Sequence, residues 1–285
     1  MPPSMSRRTA LAAPLVAFPA FADDAAKGFA ELESRHGGRL GVAALDCASG
    51  RRVGWRASEL FALCSTFKFL AAACVLARVD RGEERLARRI VYSERDLVTY
   101  SPVTKNGVGP AGLSLGEICE AAVTLSDNTA GNLMLASFGG PAGLTAWLRG
   151  LGDGLTRLDR VETALNEALP GDPRDTTTPE AMVADMQRLL VGSALSPGSR
   201  EQLATWLLAS KTGARRLRAG LPAEWRVGDK TGSGERGTAC DIAIAWPADR
   251  APILVAVYYT ESSASEDARN AVIAESGRLA VNGLG

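Results

Sequence analysis

At 285 residues, 46% of them apolar, the chain is long enough to bury a sizeable core as one large domain or two small ones. Its 32 basic and 32 acidic residues, with no basic run after the N-terminus, exclude an electrostatic footprint for nucleic acid or an anionic membrane, so the expected partner is a small molecule. One histidine, His36 in a polar turn, argues against a zinc hydrolase or a Ser-His-Asp enzyme, and five scattered cysteines with no C-x-x-C pair exclude a disulfide scaffold.

The N-terminus has its own grammar. Arg7 and Arg8 precede an apolar stretch, Ala10 to Ala20, too short to span a bilayer, and Ala20-Phe21-Ala22 offers small residues for cleavage. This predicts an export signal over residues 1–22, and Ser6-Arg7-Arg8-Thr9-Ala10-Leu11 resembles a twin-arginine signal. Without Arg7 and Arg8 the chain keeps 30 basic against 32 acidic residues, and no later segment is apolar enough to anchor it. A periplasmic or secreted monomer, cleaved near Ala22, is expected.

Downstream, residues 24–34 have helical spacing, and 39–45 and 51–55 read as strands joined by the Cys47-Ala48-Ser49-Gly50 turn. The middle, from Ser65 to Ser210, holds successive helical stretches with start signals at Ser114, Asp127, Pro179 and Ser199. Residues 226–230, 238–246 and 253–260 are strand-like, and an amphipathic helix runs from Ser265 to about Asn282. Strands at both ends around a helical middle predict a mixed α+β fold. One discontinuous α/β domain, about 23–58 and 209–285, would carry an inserted all-helical domain, about 59–208.

Three motifs carry chemistry. Ser65-Thr66-Phe67-Lys68 opens an apolar helix running to about Val79, and a three-residue offset places the amine one turn from the hydroxyl. Ser65 at a helix start also turns its own N–H and the local dipole toward a developing oxyanion, although a serine there is equally an ordinary cap. Ser126-Asp127-Asn128 opens another helix. In isolation it is a capping cluster; functionally, Ser126 would relay a proton, Asn128 would hold a substrate amide and Asp127 would be structural. Lys-Thr-Gly occurs twice. Lys211-Thr212-Gly213 follows a helix ending near Ala209, so its glycine reads as a C-cap, whereas Lys230-Thr231-Gly232 follows a strand whose edge can present N–H groups and a cation to a carboxylate-bearing substrate.

In this order and spacing the three motifs make the chain resemble the class A serine β-lactamases. The resemblance covers nearly the whole mature chain, with Tyr100-Ser101-Pro102-Val103-Thr104 before the second motif. After it come Arg160-Val161-Glu162-Thr163-Ala164-Leu165-Asn166 and Asp172-Pro173-Arg174-Asp175-Thr176-Thr177-Thr178-Pro179, which resemble the family's omega loop. It implies a five-stranded antiparallel sheet flanked by helices, a large all-helical second domain and a site between them. Ser65 would be acylated by a β-lactam, and Lys68 and Glu162 would manage its proton. Ser126 would protonate the leaving nitrogen, and Glu162 with Asn166 would hold the hydrolytic water. Lys230, Thr231, Ser233 and Arg216 would bind the substrate carboxylate, Asn128 its amide, and Tyr100 would wall the cleft. The N–H groups of Ser65 and Ser233 would form the oxyanion hole, and Arg160 with Asp175 would close the loop's neck. No metal or organic cofactor is implied.

The chain also departs from the pattern. Ala239 stands where some members carry an arginine, and Arg216 occupies another position able to supply that charge. Cys119 matches half of a disulfide found in some members, but Ala72 stands at its partner's place; Cys64 precedes the nucleophile as in members with a site disulfide, yet Gly234 fills the partner position. Neither bridge is expected. The rivals are a D-alanyl-D-alanine carboxypeptidase of the penicillin-binding class, against which Glu162 and Asn166 argue, and a β-lactam sensor domain, which would be expected beside transmembrane segments.

Overall fold

The computed structural model describes residues 23–248 and 250–285, so the expected export signal lies outside the described residues. Helix α1 (Asp23–His36) leads into strands β1 (Arg39–Asp46) and β2 (Arg52–Trp55). The middle of the chain holds β3 (Phe61–Ala62), α2 (Phe67–Asp80), β4 (Arg89–Tyr92), β5 (Gly109–Ser114), α3 (Leu115–Thr124), α4 (Asn128–Ala136), α5 (Gly140–Leu151), β6 (Thr176–Thr177), α6 (Pro179–Met186) and α7 (Pro197–Leu208). The C-terminal part adds the single turn α8 (Leu217–Gly220), strands β7 (Arg226–Ser233), β8 (Ala239–Trp246) and β9 (Ile253–Thr260), and α9 (Glu266–Leu284).

The sheet runs β2-β1-β9-β8-β7, antiparallel throughout, so the two ends of the chain meet where β1 pairs with β9. Side chains alternate across it with period two. Leu40, Val42 and Ala44 of β1 and Val255, Val257 and Tyr259 of β9 join a core with Phe29 of α1 and Ile273 of α9. Leu45 of β1 and Leu254, Ala256 and Tyr258 of β9 face the opposite core, which continues into the helical middle. There α2 is buried along its length from Phe67 to Ala77, as an all-round apolar helix must be.

Several local expectations need correction. The helical middle also holds two small pairings, β3 with β6 and β4 with β5, whose strands are too short or too glycine-rich to show alternation. Ser114 and Asp127 do cap α3 and α4. Pro179, however, is the first residue of α6, capped by Thr178, and Ser199 lies inside α7, where its N–H donates to the true cap, Ser196. The cap of α7 at its other end is Ala209, so Gly213 is not a C-cap. It lies instead where an added Cβ would sit 2.0 Å from Asp229 Oδ2. Among the described residues no helix is long and apolar enough to cross a membrane.

Candidate active site

The chain enters the site through a sharp bend. Cys64 has φ +41°, residues Cys64–Thr66 make a 3-10 turn into α2, and Leu63 N–H donates to Asp175 O at 2.8 Å. Ser65 makes no cap hydrogen bond; its hydroxyl accepts from Lys68 Nζ at 2.9 Å. Lys68 is fully buried and also reaches Ser126 O at 2.9 Å, Asn128 Oδ1 at 2.6 Å and Glu162 Oε1 at 2.9 Å. It faces more oxygens than an ammonium has protons. Burial pushes its pKa down from the usual lysine range, and the Glu162 carboxylate opposes the shift.

A second lysine enters from the edge strand. The strand expected to end at Lys230 continues as β7 through Ser233, which puts the whole Lys230-Thr231-Gly232-Ser233 run on an edge with one unpaired side. Gly232 is required there, because an added Cβ would meet Cys240 Sγ at 2.5 Å and Ser65 N at 3.0 Å. Lys230 Nζ donates to Ser126 Oγ at 2.9 Å and to Thr231 O at 2.6 Å. Burial, then repulsion from Lys68, lowers its pKa to about 7. Ser126, at φ +58°, thus stands between two lysines, with Lys68 Nζ 3.5 Å from its hydroxyl.

Arg216 sits beneath this strand, 7% exposed. Its Nη1 donates to Gly232 O at 2.6 Å and Cys240 O at 2.8 Å, its Nε to Asn270 Oδ1 at 2.8 Å, and its Nη2 to Ser233 Oγ at 2.7 Å. Most of its five N–H groups are therefore engaged by the protein itself.

The third wall is the loop from Arg160 to Asp175. Arg160 Nε meets Asp175 Oδ2 at 2.6 Å, and Asp175 Oδ1 accepts the backbone N–H of Asp159 and Arg160, closing the neck. Glu162 Oε1 accepts from Ser65 Oγ at 3.2 Å, and its Oε2 accepts from Asn166 Nδ2 at 2.5 Å. Asn166 Oδ1 is buried with no hydrogen-bond partner among the described residues. The backbone of Glu162 is gripped from α4, where Asn132 Oδ1 accepts its N–H at 2.8 Å and Asn132 Nδ2 donates to its carbonyl at 3.0 Å.

These groups open on a cleft of about 480 Å³ lined by Ser65, Ser126, Asn166, Arg216, Thr231 and Ser233, with Asn128 and the 56% exposed Tyr100 at its rim. Asn128 also donates to Thr99 O at 2.8 Å, and buried Asp127 accepts from Val103 N and Thr104 N, both at 2.9 Å, which fixes the loop carrying Tyr100. A larger hollow of about 530 Å³ lies behind the 160–175 loop, but Ser65, Lys68, Glu162 and Lys230 do not line it. Among the described residues no cluster of three or more His, Cys, Asp or Glu is placed to hold a metal ion, and all five cysteines are free thiols.

The structure brings Ser65, Lys68, Ser126, Glu162, Asn166, Lys230, Thr231 and Ser233 to one cleft from four separate parts of the chain. Three participants escaped the sequence reading. Asn132 lies one turn beyond Asn128 on the same face of α4, a spacing that could have exposed it. Asn270, on α9, carries no sequence signal. Thr212, in the Lys-Thr-Gly copy set aside as a helix end, lines the cleft.

The sequence pattern of the beta-lactamase enzyme family matches residues 24–284. The chain is 52% identical over 257 residues to beta-lactamase AST-1 of Nocardia asteroides, covering 90% of this chain and 83% of that one. It is 45% identical over 262 residues to beta-lactamase CTX-M-8 of Citrobacter amalonaticus, covering 92% and 90%. Among solved structures it is similar to an ancestral (GNCA) class A beta-lactamase, with 64% identity and a TM-score of 0.89 over 90% of this chain and 99% of the other. A putative class A beta-lactamase, PenP, from Rhodopseudomonas palustris shares 59% identity with the same TM-score, over 90% and 98%.

Proposed function

The chain belongs to the class A serine β-lactamases, a family of hydrolases, and on that premise we propose that it opens the β-lactam amide bond through an ester on Ser65 and releases the product with a water activated by Glu162. Ser65 Oγ attacks the lactam carbonyl and gives its proton to the Glu162 carboxylate that already accepts from it, or to Lys68 once that amine is neutral, both in contact with it. The N–H groups of Ser65 and Ser233 receive the oxyanion, and donors of this kind are each worth about 10² to 10³ in rate. Ser126, between Lys68 and Lys230, hands a proton to the leaving nitrogen. Lys230, Thr231, Ser233 and the charge of Arg216 hold the substrate carboxylate, and Asn128 and Tyr100 hold its body.

The observation that carries this reading is the position of Glu162, whose Oε1 is 3.2 Å from the Ser65 hydroxyl. A carboxylate there reaches a water attacking the ester, and the unpartnered Asn166 Oδ1 beside it offers that water an acceptor. Without such a base the acyl-enzyme would persist, as in a carboxypeptidase of the penicillin-binding class. The protein would act after export, as a monomer, and confer β-lactam resistance. A nitrocefin assay at substoichiometric enzyme tests the reading: sustained turnover is expected, and colour release stopping at one equivalent per enzyme would favour the carboxypeptidase. A panel of penicillins, cephalosporins and carbapenems then ranks substrates.

A further inference from the structure

The second Lys-Thr-Gly copy has a place in the cleft. Lys211 N–H donates to Thr124 O at 2.9 Å, Gly213 O accepts from Arg216 N at 3.0 Å, and Gly213 lies against Asp229 without room for a side chain. A segment pinned at both ends presents Thr212 to the cleft, and its hydroxyl lies 2.6 Å from that of Thr231.

Each hydroxyl has one proton to give. Ser210 gives its own to Asp229 Oδ2 at 3.0 Å, and its oxygen is 3.5 Å from Thr212, at the limit of a hydrogen bond. Thr212 therefore has one good acceptor, Thr231 Oγ1. When Thr212 donates there, the lone pair of Thr231 facing Thr212 is occupied and the Thr231 proton is left for the cleft. If the pair ran the other way, Thr231 would have no proton for an anion.

We infer that Thr212 is a positioning residue for substrate binding: its hydroxyl donates to Thr231 and so turns the Thr231 O–H toward the substrate carboxylate. This rests on the proposed carboxylate role of Thr231. The carboxylate takes no part in bond breaking, so losing the orientation weakens substrate and transition state alike and falls on KM rather than kcat.

The test is a double-mutant cycle of Thr212→Val and Thr231→Val, with Thr212→Ser as the conservative control, assayed with a penicillin and its methyl ester. Thr212→Val is expected to raise KM for the free acid about five- to tenfold, in the range of one lost hydrogen bond, with kcat within about twofold. Thr212→Ser should restore KM, the ester should show no difference from wild type, and Thr212→Val added to Thr231→Val should change KM by less than about twofold. An unchanged KM in Thr231→Val would overturn the carboxylate reading itself. A raised KM there with an unchanged KM in Thr212→Val would overturn only the positioning role. Additive effects would make Thr212 an independent substrate ligand, and equal losses on acid and ester would make it merely structural; either result overturns the inference.

Discussion

Lys68 and Glu162 form an ion pair of 2.9 Å with both side chains completely shut off from solvent. Two charges in such a place persist only when each is held by further hydrogen bonds, and here those bonds come from Ser65, Asn128 and Asn166. In that pair the Glu162 carboxylate is the proton acceptor beside Ser65, and Lys68 becomes one only after giving up its own proton, so on the proposed mechanism the two chemical steps can be separated by mutation.

Glu162→Ala should acylate with a penicillin, show a burst and then stall as a species heavier by one intact drug molecule. A positioned general base contributes about 10² to 10⁴ in rate, or about 2.7 to 5.4 kcal/mol of barrier. Intact-mass spectrometry after manual mixing reads the outcome. Rapid return to the free mass would assign deacylation to another group, and failure to acylate would move Glu162 into the first step.

Ser65→Ala should abolish nitrocefin turnover while leaving the fold intact, since the lost hydroxyl is only one of several hydrogen-bond partners of buried Lys68 and Glu162 and its removal costs about 1 to 3 kcal/mol. Substantial hydrolysis by that variant, free of contaminating enzyme, would remove Ser65 as nucleophile.

Arg216→Ala should raise KM for carboxylate-bearing penicillins about tenfold, in the range of a lost hydrogen bond to a charged group. It should also lower the melting temperature, because the Gly232 and Cys240 carbonyls lose a buried donor. Leaving a buried acceptor unpaired costs about 1 to 3 kcal/mol. Steady-state kinetics with a thermal melt separates the two effects, and wild-type KM in a destabilised variant would confine Arg216 to holding β7.

Lys230, with its pKa lowered to about 7, should impose opposite pH trends on stability and binding. In the unfolded chain the lysine titrates near 10.4, so between the two values the folded state binds fewer protons and stability rises with pH. The cost of burying the charge is fully present below pH 7 and fades above it. Binding runs the other way: as Lys230 loses its charge, kcat/KM for a carboxylate substrate should fall above about pH 7, a limb belonging to the free enzyme. Lys68 is also pushed down, so Lys230→Arg, which stays charged, is the control that should flatten the limb. A wild-type profile level to pH 9 would contradict the assignment.

Short-range chemistry was legible in the chain. Ser65 and Lys68 share a helical turn, Glu162 and Asn166 hydrogen-bond across four residues, and Asp127 caps its helix, because each relation is set by backbone periodicity within a few residues. The three central strands β1, β8 and β9 were also readable, since a strand buried on both faces must be largely apolar whatever it pairs with. The order β2-β1-β9-β8-β7 was not contained in those patterns, nor was the extension of β7 through Ser233, because Lys230 and Gly232 are poor strand formers and the run is held extended by its pairing with β8.

Only the tertiary structure decided which groups meet across long separations. Glu162 reaches Lys68 from 94 positions away, and Ser126 lies between two lysines from distant elements. Arg216 lines the cleft with its Nη1 given to backbone carbonyls, and Thr212 looked like the end of a helix until Asp229 and Thr231 gave it a setting. The physical reason is the range of the forces. Propensity, capping and helical spacing act over one or two turns and are written in consecutive residues. Hydrogen-bond partners and lysine pKa values depend on what burial has placed within about 3 to 4 Å, and no stretch of sequence states that by itself.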